Sequence, residues 1–196
     1  MTSARAPRGT VTRARVVDAA SRLIAAEGYE NVTMRGLASE LGVAPMSLYR
    51  HVASKDDLLD EVVDRLLSER WRPRSRESNW RRWMTEAADN LRALLVEQPA
   101  ALHVFLSHPV VSPAALERME AMMRVLRRVL GDDGQVIDAW AAVQMYTIGF
   151  AALEASREQR PDVGVPSSEV AGMLAGFATP HQFSVGLRYL LDGIEP

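Results

Sequence analysis

The stretch TMRGLASELGVAPMSLYRHVASK, from Thr33 to Lys55, decides how this chain is read. Met34, Leu37, Ala38 and Leu41 recur at helical spacing and form one apolar face, so a helix is predicted over Met34 to Leu41. Thr33 is suited to cap it, since a hydroxyl at that point accepts an orphan backbone N–H. Gly42 ends it, because glycine takes the left-handed conformation without steric cost. Pro45 opens a second short helix carrying Met46 to His51, as a missing N–H is harmless at the first helical position. Leu48 and Val52 face inward, and Ser47, Tyr49, Arg50 and His51 stay outside. Two short helices around a glycine-containing turn make a helix-turn-helix. Its second helix bears hydrogen-bonding side chains of the kind a major groove receives. Geometry alone leaves two readings open: a DNA-binding unit, or a helix pair such as any small helical protein contains.

On the N-terminal side, a helix is predicted from about Thr12 to Glu27, with Val16, Ala20, Leu23 and Ile24 on one face and Gly28 as its stop. Residues 1–10 are small, basic and Pro/Gly-containing, which predicts a flexible basic arm. Either a solvated tail or a DNA-contacting arm accounts for Arg5, Arg8, Arg13 and Arg15. On the C-terminal side, Ser54 is placed to cap another helix with Asp56 and Asp57 in its first turn. Lys55 sits at that helix start, where a cation beside orphan N–H groups makes a phosphate clamp.

The chain has 196 residues, 47% apolar, a net charge of −2 and no cysteine. That length can bury a sizeable core, and the missing thiols exclude disulfides, thiolate metal sites and cysteine nucleophiles. No apolar run approaches the roughly 20 residues of a membrane span, and the basic N-terminus lacks the apolar segment of a secretory signal. The expected compartment is the cytoplasm, with no membrane partner. Of the 23 basic residues, 22 are arginine, which a general preference for arginine explains.

Residues 70 to 79, RWRPRSRESN, form a polar, Pro-containing hinge, with arginines best read as solvated. Only helices follow. They span about Trp80 to Val96, Leu102 to Leu106, Pro113 to Leu130, Gln135 to Glu158 and Pro180 to Gly193, with a flexible loop over residues 159–168. Leu116, Met119, Met123, Leu126 and Leu130 form a narrow 3-4-3-4 seam. The helix from Gln135 carries two apolar stripes, Val136-Trp140-Val143-Thr147-Phe150 and Ile137-Ala141-Ile148-Ala151. One suits the subunit's own core and the other a partner subunit, so a symmetric homodimer is expected, with this helix and the last one forming a four-helix interface; the alternative is a monomer with both stripes in one core. Trp83, Met84, Leu91, His103, Phe105, Met119, Met123, Trp140, Gln144, Met145 and Tyr146 are the candidates to line a ligand cavity. Such a stripe of methionines and aromatics is equally ordinary core.

The run Leu48-Tyr49-Arg50-His51-Val52 with Ser54-Lys55-Asp56-Asp57-Leu58-Leu59 strongly resembles the TetR family of transcriptional regulators. So do Ala19-Ala20, Leu23-Ile24, Gly28-Tyr29, Val32-Thr33 and Leu37-Ala38 through Leu41-Gly42-Val43 upstream. The resemblance implies an all-α fold with three parts: the arm 1–10, a helix-turn-helix DNA-binding domain over 11–60, and a helical ligand-binding and dimerisation domain over 61–196. It implies that Arg35, Pro45, Met46, Ser47, Tyr49, Arg50, His51 and Lys55 lie at the DNA surface. Arg35 matches a guanine-reading arginine, the alternative for it being a surface ion pair. Tyr49 and His51 match phosphate contacts.

Trp80 to Pro109, Thr147-Ile148-Gly149 with Leu153-Glu154, and Phe183-Ser184-Val185-Gly186-Leu187 are similar to the tetracycline repressor subgroup. Glu154 matches an acid that helps hold a drug's magnesium there, but the metal-ligating histidine position is Val104. His103 stands one place away, about 100° around a helix, so neither a metal nor another cofactor is expected. The expected function is a repressor released from a palindromic double-stranded operator by a small apolar or amphipathic effector. Rival readings are an all-helical enzyme, for which no HExxH, phosphate loop or nucleophile elbow appears, and a DNA-binding dimer without a ligand.

Overall fold

The computed structural model describes residues 11–159 and 177–194. The proposed arm 1–10 and residues 160–168 of the proposed loop lie outside them. Among the described residues the chain is helical throughout: α1 Arg13–Glu27, α2 Met34–Leu41, α3 Pro45–Leu48, α4 Lys55–Arg70, α5 Trp80–Glu97, α6 Pro99–Ser107, α7 Pro113–Leu130, α8 Asp133–Gln159 and α9 Pro180–Asp192. Two compact units are present, Met1–Val62 and Val63–Pro196.

The first unit is built from local signals. Thr12 caps α1 by accepting the Arg15 N–H, and Gly28 closes it at φ +80°. Thr33 caps α2 by accepting the Gly36 N–H at 3.0 Å. Gly42 ends α2 in the left-handed region, φ +67°, and the Val43 N–H reaches back to the Ala38 carbonyl at 3.0 Å. That pair of features is a Schellman closure, and it sets the turn between α2 and α3. Val16, Ala20, Leu37, Leu48, Val52, Leu58 and Leu59 form the buried interior. Arg13 fastens α1 to α4 through Glu61 at 2.7 Å. The regular part of α3 is a single turn, shorter than the expected run to His51. Its continuation tightens because the His51 and Val52 N–H groups both end on the Leu48 carbonyl.

In the second unit α8 is the central element. Trp83, Met84 and Ala87 of α5, Met122, Val125 and Leu126 of α7, and Phe183, Leu187 and Leu191 of α9 bury their side chains with Val136 and Val143. The stretch Asp133–Arg157, 25 residues with a window of mean hydropathy 1.4, is long and apolar enough to cross a membrane. This overturns the expectation that no such run exists. Here the helix is wrapped by the other helices of its unit and buries the polar side chains of Gln144, Thr147 and Glu154.

Two expected stripes are corrected. On α7 the buried side chains are Ala115, Arg118, Ala121, Met122, Val125 and Leu126; of the proposed seam Leu126 is among them, while Leu116 is exposed and Met119, Met123 and Leu130 are half-buried. The helix is turned by one residue from the proposed seam, so an arginine enters the interior. On α8 Ile148 and Ala151 are buried, and the outward row is Ile137, Met145, Gly149 and Leu153. The segment after α4 is likewise bolted down rather than loose. Trp71 donates its indole N–H to the Ala87 carbonyl at 2.9 Å and meets Trp83 edge-on at 5.9 Å. Glu86 receives the Ser75 hydroxyl and the backbone N–H groups of Arg74 and Ser75.

Candidate nucleic-acid interface and ligand cavity

Leu48 is fully buried, and this fixes α3 so that Met46, at 74% exposure, and Tyr49, at 46%, point to solvent. Arg35, Pro45 and Arg50 are exposed as well, and Ser47, His51 and Lys55 are half-buried. Among the described residues Arg35 forms no ion pair. The Lys55 ammonium stands at the first turn of α4 and donates to the Glu30 carbonyl at 3.3 Å. An ammonium has three donors, so it can hold the loop before α2 and still meet a phosphate. Arg35, Met46, Tyr49 and Arg50 together offer a guanidinium fork, an apolar tip, a phenol and a second cation. These are the chemistries needed for guanine edges, thymine methyls and phosphates.

The second unit holds a cavity of about 410 Å³. It lies between the end of α6 with the loop His108–Val111, the first half of α7, and the middle of α8. Phe105, Met119, Trp140, Gln144 and Met145 line it, as their assignment to a pocket requires. Other candidates fall elsewhere. Met84 and Leu91 are closed inside the core, at 0% and 1% exposure. Met123 packs at the edge of the same core, and His103 faces outward next to the buried Val104. Tyr146 points the other way, stacking on Phe183 at 5.3 Å and donating to its carbonyl at 3.0 Å.

The sequence reading missed Arg118 and His108, which both line the cavity. Arg118 donates from Nη1 to the Gln144 Oε1 at 2.9 Å, and burial pushes its guanidinium down to about 10. Its place in register with Met122 and Val125 was the available signal. Glu154 does not face this cavity; it is held by Arg92 at 2.8 Å. Among the described residues no cluster of His, Cys, Asp and Glu could hold a metal.

Residues 16–62 match the description "Bacterial regulatory proteins, tetR family", and residues 72–196 match "Tetracyclin repressor-like, C-terminal domain". The chain is 33% identical to the HTH-type transcriptional repressor DrrR1 of Streptomyces coeruleorubidus, over 97% of this chain and 80% of that protein. It superposes on the ActR protein of Streptomyces coelicolor in complex with (S)-DNPA with a TM-score of 0.77 and 25% identity, covering 95% of this chain and 98% of that one. BioQ with its natural double-stranded DNA operator gives a TM-score of 0.71 and 29% identity, over 94% and 98% of the two chains.

Proposed function

The chain belongs to the TetR family of bacterial regulatory proteins, and on that premise we propose that it is a homodimeric transcriptional repressor, released from a palindromic operator by a small amphipathic molecule. The observation that carries the reading is the solvent-facing set Arg35, Met46, Tyr49 and Arg50, displayed by helices whose inner side chains are buried. Arg35 reads guanine; Pro45 and Met46 make apolar contact; Ser47, Tyr49, Arg50, His51 and Lys55 hold the backbone and set register. BioQ is known with operator DNA and ActR with a small molecule, which supports both halves of the proposal. The regulator names of the relatives favour this reading over the all-helical enzyme, and a regulator of this kind would act in the cytoplasm.

Dimerisation uses the outward row of α8, Ile137, Met145, Gly149 and Leu153, with the exposed Tyr189 of α9. Apolar rows of this kind are covered by a like surface across a two-fold axis, and two heads then meet half-sites about one helical turn apart. The effector occupies the cavity between α6, α7 and α8. From there a path leads back along α4: the Asp64 carboxylate accepts the Ala114 N–H at the start of α7, at 2.7 Å. That bond ties the start of α7 to the part of α4 that belongs to the second unit. Such a switch needs unequal affinity for the bound and released conformations. Fluorescence anisotropy of an enriched duplex tests the reading: two subunits bind per duplex, and a cavity ligand releases them. One subunit per duplex, or no release by any ligand that binds the cavity, contradicts it.

A further inference from the structure

Arg118 occupies the middle of α7 with 4% of its surface exposed. Its partners are weak for a buried cation. Nη1 donates to the neutral amide oxygen of Gln144 at 2.9 Å and approaches the Met122 sulfur at 3.5 Å. Nε has no acceptor among the described residues, and neither does the buried Trp140 Nε1. Among the described residues no carboxylate is paired with Arg118, and no Asp or Glu lines the cavity. Even with its pKa pushed down to about 10, the guanidinium remains protonated near neutral pH.

Buried charges are ordinarily paired, because a lone ion in an apolar surround forfeits its hydration. Both unmet groups beside this cavity are donors, so the complement they require is an acceptor. A neutral acceptor would satisfy the Trp140 N–H, but the guanidinium also requires negative charge. Its planar fork fits an oxyanion. The remaining wall is apolar and aromatic, with Phe105 stacked 5.9 Å from the Arg118 guanidinium.

We propose that the molecule taken up by this cavity is an organic anion, its oxyanion head paired with Arg118 and its apolar body packed against Phe105, Met119 and Trp140. The inference rests on the reading of the cavity as the effector site, and it names the class of effector. A cavity of about 410 Å³ accommodates a two- or three-ring acid.

The experiment uses two fluorescent probes with the same ring system, anilinonaphthalene sulfonate and the neutral phenylnaphthylamine, titrated into the full chain. Wild type binds the sulfonate roughly tenfold more tightly than the neutral probe, the value of one charge-assisted pair. Arg118→Met abolishes that preference while leaving the neutral probe's affinity within about twofold, and Arg118→Lys keeps part of it. Circular dichroism melting confirms that each variant is folded. If Arg118→Met fails to fold, the wild-type preference decides alone, and a ratio near one overturns the proposal. Equal loss of both probes in Arg118→Met also overturns it, since Arg118 would then only shape the wall. Binding of the neutral probe without any preference overturns the anion and leaves the effector site standing. Binding of neither probe overturns both.

Discussion

Glu154 receives two hydrogen bonds from one donor: Arg92 Nη1 reaches its two carboxylate oxygens at 2.9 and 2.8 Å. Only 11% and 9% of the two side chains are exposed, and Arg92 also lies 5.1 Å over the Phe183 ring. Removing one member of a buried pair costs about 3–5 kcal/mol when the other charge is left uncompensated; Arg92 keeps Asp89 as a second partner at 2.9 Å, so the loss falls at the low end of that range. Glu154→Ala is therefore expected to lower the unfolding free energy in urea by about 3 kcal/mol, and Glu154→Leu with Arg92→Met by less. A single variant as stable as wild type contradicts this. With both oxygens engaged, millimolar magnesium should leave the melting temperature of wild type unchanged; a rise with metal concentration would return Glu154 to a metal-binding role.

Gly186 of α9 has its place because Tyr146 crosses it. A Cβ there would stand 2.8 Å from the Tyr146 Cζ and closer still to the hydroxyl. The ring cannot step aside, since it stacks on Phe183 and contacts Phe150. Overpacking of this kind costs about 1–3 kcal/mol, so Gly186→Ala should melt about 5 °C lower. Adding Tyr146→Leu should recover part of the loss. An unchanged melting temperature would show that the ring has room to move.

The Glu86 carboxyl is brought down to about 2, first by the Ser75 hydroxyl and then by the Ser75 N–H, with the Arg74 N–H and Arg82 adding to it. In the unfolded chain it titrates near the ordinary carboxylate value. Between the two pKa values the unfolded state binds the proton first, so stability rises with pH across that window. This contribution is complete above the ordinary carboxylate range and disappears as pH falls toward 2. Glu86→Gln should flatten the acid limb of the stability profile, read from tryptophan fluorescence of Trp71 and Trp83. An acid limb identical to that of wild type contradicts the assignment.

Arg35 and Lys55 should fail in different ways. Arg35→Ala is expected to lose discrimination at one base pair of each half-site, worth about 1–3 kcal/mol, with little change on other sequences. Lys55→Ala should weaken binding evenly and make the dependence of log affinity on log salt shallower by about one unit. Binding titrations across single-base operator variants and salt concentrations separate the two patterns. A uniform loss for Arg35→Ala sinks its role as a base reader.

The parts of this molecule legible in the sequence are those set by short-range chemistry. Thr33, Gly42 and Pro45 fix the helix-turn-helix through caps and a left-handed turn, each decided within four residues. Ser54 does the same for α4 by accepting the Asp57 N–H. The cavity was less legible because distant segments make it. Phe105, Met119, Trp140 and Gln144 were recognised as candidates, but nothing local separates them from Met84 and Leu91, which only fill the core. Arg118 was passed over for the opposite reason. Hydrophobic periodicity turns an arginine outward, and two of the groups that meet Arg118 in the interior, the Gln144 amide and the Phe105 ring, are remote in sequence.

The central claim is that the Arg35, Met46, Tyr49 and Arg50 surface reads DNA as a two-fold pair. Selection of bound duplexes from a random pool, with purified protein near physiological salt, tests it most directly. The account predicts enrichment of a palindrome with half-sites about one helical turn apart, and loss of one conserved base pair per half-site when Arg35→Ala replaces wild type. No enrichment, or binding that fades with salt at the same rate on every sequence, would contradict it.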